Sequence, residues 1–173
     1  MLKVLSPHRI WLGRAREMAE IERGLDDLLQ GRGGVFLISG EPGIGKTRLA
    51  DEAGQAAAAR GIPVHWGRAW EAGGAPSYWP FIQALRTIAR DAAAIDALAT
   101  PSPSPIERFQ LFEVVGSFLH SVVPPPRVLV LDDLHAADPS SLELLHFIAR
   151  DVRSYPLLLI GTYREAEARL VPG

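Results

Sequence analysis

From Arg14 to about Leu29, Met18, Ile21, Leu25 and Leu28 recur at spacings of three and four, which predicts an amphipathic helix. Gly31-Arg32-Gly33-Gly34 stops it. Val35-Phe36-Leu37-Ile38 then reads as a short buried strand, and after a glycine-rich stretch an Ala-rich helix runs from Lys46 to Arg60 and ends at Gly61. Ile62 to Trp66 predicts a second strand, whose pairing Pro63 restricts. Residues 67–79 form a long loop carrying Arg68, Trp70, Glu71 and Tyr78. Pro80 opens a helix on which Phe81, Leu85, Ile88, Ala92 and Ile95 keep helical spacing. Thr100 to Pro105 is a stiff connector, and Ser104-Pro105-Ile106-Glu107 reads as a capping box. Phe109, Phe112, Gly116 and Leu119 are expected on the buried face of the helix that follows, which prolines 124–126 end. Val128 to Leu131 predicts the third strand, and Asp138-Pro139 caps a helix with Leu142, Leu145, Ile148 and Ala149 facing inward. Leu157 to Ile160 predicts the fourth strand. Strands alternating with helices mean an α/β fold, a parallel sheet covered on both faces.

Composition narrows the picture without changing it. The chain has 173 residues, 47% of them hydrophobic and 22% charged, which fits one globular domain and excludes a disordered or low-complexity chain. There is no cysteine, so disulfide, thiolate and iron–sulfur chemistry are excluded, and a cytoplasmic location fits. Met1 is followed by no apolar stretch of signal-peptide type, and the aliphatic runs fall far short of the roughly 20 residues a membrane helix needs. A net charge of −2 gives no electrostatic reason to expect nucleic-acid or membrane binding. Lysine occurs only at positions 3 and 46, all other basic residues being arginine.

The strongest chemical signal is Gly40-Glu41-Pro42-Gly43-Ile44-Gly45-Lys46-Thr47, which fits G-x-x-x-x-G-K-[ST] between an apolar strand and a helix. Glycines at 43 and 45 let the backbone curl until successive N–H groups face one concavity, and the helix start adds unpaired N–H groups and partial positive charge. Gly40, Pro42, Gly43, Ile44, Gly45, Lys46, Thr47 and Arg48 are therefore the expected nucleotide-binding residues. Lys46 would reach the β- and γ-phosphates as a compact charge where a planar guanidinium needs more room. The Thr47 hydroxyl is placed to ligate Mg²⁺.

Val128-Leu129-Val130-Leu131 ends in Asp132-Asp133. Mg²⁺ takes oxygen ligands and contacts one or two carboxylates, a role for Asp132 beside Thr47. Asp133 would act as general base on the attacking water, although strand-end acids also serve as caps or solvated termini. His135 reads as a structural hydrogen-bonder. Arg164 leaves the fourth strand where ligands sit in open α/β sheets, either sensing the γ-phosphate or pairing on the surface with Glu165 or Glu167.

Taken in order, Leu12-Gly13-Arg14 through Glu17, Gly40–Thr47, Gly67-Arg68-Ala69 with Glu71, Pro76-Ser77-Tyr78-Trp79-Pro80, Asp132–Asp138 and Gly161–Glu165 resemble the ATPase domain of the STAND class of AAA-related P-loop proteins. The ATPase modules of large LuxR-type transcriptional regulators and related bacterial signalling proteins are the nearest in kind. The resemblance implies a single P-loop domain over 1–173, with an N-terminal segment and helix to residue 33 and a three-layer core from 34. It implies that ATP or ADP binds with Mg²⁺, that Leu12 and Arg14 lie in the segment covering the adenine, and that Thr162 or Arg164 fills the first sensor position. Ala136 stands where the family usually has Trp. The implied strand order is 5-1-4-3-2, and the chain ends before a fifth strand and lid. Val35–Ile38 is therefore expected as a free apolar edge, open to self-association.

The residues imply an ATP-binding, slowly hydrolysing switch with Lys46, Asp133 and Arg164 as catalytic residues, and the resemblance implies that it serves signal transduction and transcription regulation. A nucleotide-stabilised scaffold without useful hydrolysis is the alternative. A small-molecule or nucleotide kinase shares the phosphate loop, but the paired aspartates and the lack of an evident Arg-rich lid argue against it.

Overall fold

The computed structural model describes residues 2–4, 14–72, 74–89, 93–100 and 104–164. Its elements in chain order are β1 (Leu2–Val4), α1 (Arg14–Leu29), β2 (Gly34–Ser39), α2 (Lys46–Ala59), β3 (Val64–Arg68), α3 (Trp79–Arg86) and α4 (Ala93–Ala99). After them come α5 (Pro105–Val122), β4 (Arg127–Asp132), a 3₁₀ turn at Leu134–Ala136, α6 (Pro139–Asp151), a second 3₁₀ turn at Val152–Ser154 and β5 (Leu157–Tyr163). The sheet order is β1-β2-β5-β4-β3. β2, β5, β4 and β3 are mutually parallel, with Gly34–Ser39 beside Leu158–Tyr163 and Val64–Arg68 beside Val128–Asp132. The fold class and the four parallel strands agree with the sequence pattern, except that β3 runs from Val64 to Arg68 rather than from Ile62 to Trp66, and β1 was not expected.

Alternation along the strands sorts the core. Phe36, Ile38, Val128, Val130, Leu158 and Ile160 point to the α1–α2 side, with Ile21, Leu25, Leu28, Leu49 and Ala53. Val35, Leu129, Leu131, Leu157 and Leu159 point the other way, onto Phe81, Leu85, Phe112, Val115, Leu119, Leu144 and Ile148. Each fully buried aliphatic or aromatic side chain contributes about 1.5–3 kcal/mol. Burial on both faces explains why the strands read as continuous apolar runs.

Two edges close the sheet. β3 is covered by α3: a Cβ on Gly67 would lie 1.8 Å from the Pro80 carbonyl oxygen, and the Arg68 N–H donates to Gln83 Oε1 at 2.7 Å. At the other edge β1 pairs antiparallel with β2, placing Leu2, Lys3 and Val4 opposite Ile38, Leu37 and Phe36. This corrects the expectation of a free edge at Val35–Ile38. Antiparallel β1 takes the place beside β2 that the resemblance gives to a fifth parallel strand, and self-association through that edge loses its physical basis.

Two helix expectations also change. The single helix expected from Pro80 through Ile95 is divided into α3 and α4, and at the end of α3 the Thr87 hydroxyl donates to Ala84 O at 2.7 Å. On α5 the capping box forms as expected, the Glu107 N–H donating to Ser104 Oγ and the Ser104 N–H to Glu107 Oε2. Its buried face, however, is Leu111, Phe112, Val115 and Leu119, while Phe109 is 53% exposed and meets Phe147 edge-on. No described helix is long and apolar enough to cross a membrane.

Candidate functional site

The 40–47 loop, Asp132, Asp133 and Arg164 lie at the carboxyl end of the parallel strands, because β2, β3, β4 and β5 run the same way. β2 delivers the 40–47 loop. Gly43 and Gly45 have φ of +75° and +94°, the left-handed region that side-chain-bearing residues resist. Gly45 is the N-cap of α2 and no side chain caps the helix, so main-chain N–H groups of its first turn face the loop without a capping oxygen. Lys46 is 9% exposed, and its Nζ donates to Gly40 O at 2.9 Å and Glu41 O at 3.0 Å, spanning the loop from within. Ile44 points outward at 56% exposure, and Arg48 lies along the outer face of α2 with its Nε 3.1 Å from Glu52.

Asp132 ends β4 with no solvent exposure. Its Oδ1 accepts from the Thr47 hydroxyl at 3.1 Å and from the Thr162 hydroxyl at 2.5 Å, while Oδ2 accepts from Arg68 Nε at 3.0 Å. A buried carboxylate is tolerated only when hydrogen-bonded and charge-compensated, and Arg68 supplies the compensation. The Thr47 hydroxyl and the Asp132 carboxylate are hard oxygen donors side by side, a set that suits Mg²⁺.

Asp133 takes a left-handed backbone, φ +58°, and its N–H donates to Thr162 Oγ1 at 2.9 Å. Burial, and then the neighbouring Asp132 charge, push its carboxyl above the usual aspartate range, against the lowering effects of His135 and Arg68. A raised pKa suits a group that must take a proton.

A third cluster joins the loops after β3, β4 and β5. Glu71 Oε1 lies 2.5 Å from Arg164 Nη2 and 3.1 Å from His135 Nε2. Glu71, Asp133 and His135 bring ligand-type atoms within 4.8 Å of one another, but Arg164 and Arg68 already provide positive charge there. The loop that carries Glu71 is tied at one end to the last residue of β4 and at the other to the segment after it. The Ala69 N–H donates to Asp132 O at 3.0 Å, and the Tyr78 N–H donates to Asp138 Oδ2 at 3.1 Å. Asp138 also caps α6 through the Ser141 N–H, as the sequence predicts.

The structure thus brings Lys46, Thr47, Asp132, Asp133, Thr162 and Arg164 to one end of the sheet. Arg14 begins α1, and Leu12 lies outside the described residues. Among the described residues Arg164 pairs with Glu71, while the surface partners expected for it, Glu165 and Glu167, lie outside the described residues. Sequence reasoning gave Arg68 and Glu71 no role in the site. The clue for Arg68 is register: it lies opposite Asp132 once β3 is set beside β4.

Comparisons with known proteins agree with this fold. A curated relative, the uncharacterised protein R02095 of Rhizobium meliloti (strain 1021), is 27% identical over 192 residues. That match covers 91% of this chain, which spans only 19% of the relative's length. Among solved structures, Drosophila ORC bound to GC-rich DNA and Cdc6 superposes with a TM-score of 0.53 at 13% identity, over 91% of this chain and 51% of that one. AMPPCP-bound DnaA from Aquifex aeolicus gives a TM-score of 0.47 at 18% identity, over 95% of this chain and 44% of that one. The likeness to ORC, at 13% identity, is one of fold. The AAA ATPase domain family matches residues 10–160, and the chain belongs to that family.

Proposed function

We propose that this nucleotide-binding module is an ATP-dependent, slowly hydrolysing switch in a cytoplasmic signalling protein of the transcriptional-regulator type. The observation that carries the reading is the meeting of Thr47 and Asp132, 85 residues apart, beside a lysine laid across a curled glycine loop. The regulator role rests on the ordered motifs from Leu12 to Glu165, and the ATPase chemistry rests on the site.

In this reading the loop amides and Lys46 grip the β- and γ-phosphates, Leu12 and Arg14 cover the adenine, and Arg164 reports the γ-phosphate. Mg²⁺, held by Thr47 and Asp132, would offset phosphate charge. Asp133 accepts the proton of a water attacking the γ-phosphorus, so that ATP and water give ADP and phosphate. P-loop switches without an arginine finger supplied in trans turn over at about 10⁻²–10⁻⁴ s⁻¹. A rate near 10⁻³ s⁻¹ corresponds to a barrier of about 21 kcal/mol, slow enough to time a signal.

The test separates binding from chemistry. Lys46→Ala is expected to abolish nucleotide binding, whereas Asp133→Asn keeps binding and slows single-turnover phosphate release about 100-fold. Equal loss of binding in both variants refutes this division of roles. ATP binding with no phosphate release from the unmodified chain points to the scaffold instead.

A further inference from the structure

We propose that Glu71 is a positioning residue that sets the preference of this site for ATP over ADP, by competing with the γ-phosphate for Arg164. The inference rests on the 40–47 loop being an ATP site. Glu71, His135 and Arg164 come from three different loops and meet at a single carboxylate oxygen, Glu71 Oε1. The three are unequally buried. The His135 side chain is 2% exposed and set in the protein, whereas Glu71 is 52% and Arg164 30% exposed. The loop carrying Glu71 is held at Ala69 and at Tyr78, and the Glu71–Arg164 contact joins two partly exposed side chains.

A phosphoryl group offers a guanidinium two oxygens in a fork, whereas Glu71 meets Arg164 through Oε1. A triphosphate reaching this end of the sheet therefore draws Arg164 off Glu71, and a diphosphate, with no γ-phosphoryl oxygens, leaves it in place. Binding ATP then carries the cost of breaking the Glu71–Arg164 pair, and binding ADP does not. The pair is half-exposed, so that cost is modest.

The test is calorimetric titration with ADP and with a non-hydrolysable ATP analogue. The proteins are the unmodified chain, Glu71→Gln, Glu71→Asp, Arg164→Ala and the double variant Glu71→Gln/Arg164→Ala. Glu71→Gln is expected to tighten the analogue about two- to fivefold and to leave ADP unchanged, with Glu71→Asp restoring the original ratio. Arg164→Ala is expected to weaken the analogue alone, and the double variant to match it. Equal shifts for both nucleotides, or a Glu71→Gln gain that survives without Arg164, would mean that Glu71 only clips the loop, and would overturn the proposal. If the unmodified chain binds neither nucleotide, the ATP-site reading itself fails, and this one with it.

Discussion

Asp133 is the residue whose chemistry is most readily checked. Burial comes first, and the Asp132 charge second, in raising its carboxyl, with Glu71 adding a little and His135 and Arg68 opposing. The folded chain therefore holds the Asp133 proton more tightly than the unfolded chain does. At neutral pH the ionised group costs stability, and the cost disappears as pH falls through the raised folded pKa. Asp133→Asn, which keeps a residue type tolerant of the left-handed backbone, is expected to stabilise the fold at pH 7. That gain should shrink on acidification. Urea denaturation across pH checks it, and a variant equally destabilised at every pH contradicts it. Hydrolysis should decline in the same window, because a protonated base cannot accept a proton. The loop and the two aspartates were legible in the sequence because each is a contiguous run beside a strand. The partners Arg68 and Glu71 were not, since which loops meet depends on the strand order β5-β4-β3.

At the scale of elements, α3 acts as the cover of an edge strand, and Gly67 makes the contact possible. With Pro80 O only 1.8 Å from where a Cβ would stand, Gly67→Ala must push α3 off β3 or distort the strand. A loss of about 2–3 kcal/mol is expected, read as a lower urea midpoint, and an unchanged midpoint would show that α3 does not pack there. The same variant should weaken nucleotide binding, because Arg68 follows directly and reaches Asp132. Periodicity located α1, the alanine run ending at Gly61 located α2, and the Asp138-Pro139 cap located α6, although Leu144, buried there, was missed. Periodicity misplaced the buried face of α5, because apolar residues there occupy nearly every side of the helix and no single stripe is marked. It also ran α3 and α4 together, since Ile88 and Ile95 keep helical spacing although α3 ends at Arg86.

For the molecule as a whole, β1 was invisible to pattern reading. Three residues are too few to show a period, yet their hydrogen bonds to β2 cover an apolar edge. Deletion of residues 1–4 is expected to expose Phe36–Ile38 and to give concentration-dependent association in light scattering. A truncated chain that stays monomeric would mean that β1 is dispensable as a cover. The parallel sheet also sets what the whole fold can do, because it gathers the 40–47 loop, Asp132, Asp133 and the Glu71–Arg164 pair at one end. The most direct test of that gathering is thermal unfolding of the chain and of Lys46→Ala with increasing ATP and Mg²⁺. A ligand at 100 times its Kd stabilises the folded state by about 2.7 kcal/mol, so the unmodified chain should melt at steadily higher temperature while Lys46→Ala stays flat. An unmodified chain unmoved by ATP, or a Lys46→Ala variant stabilised to the same extent, would contradict the assignment of the 40–47 loop as the phosphate site.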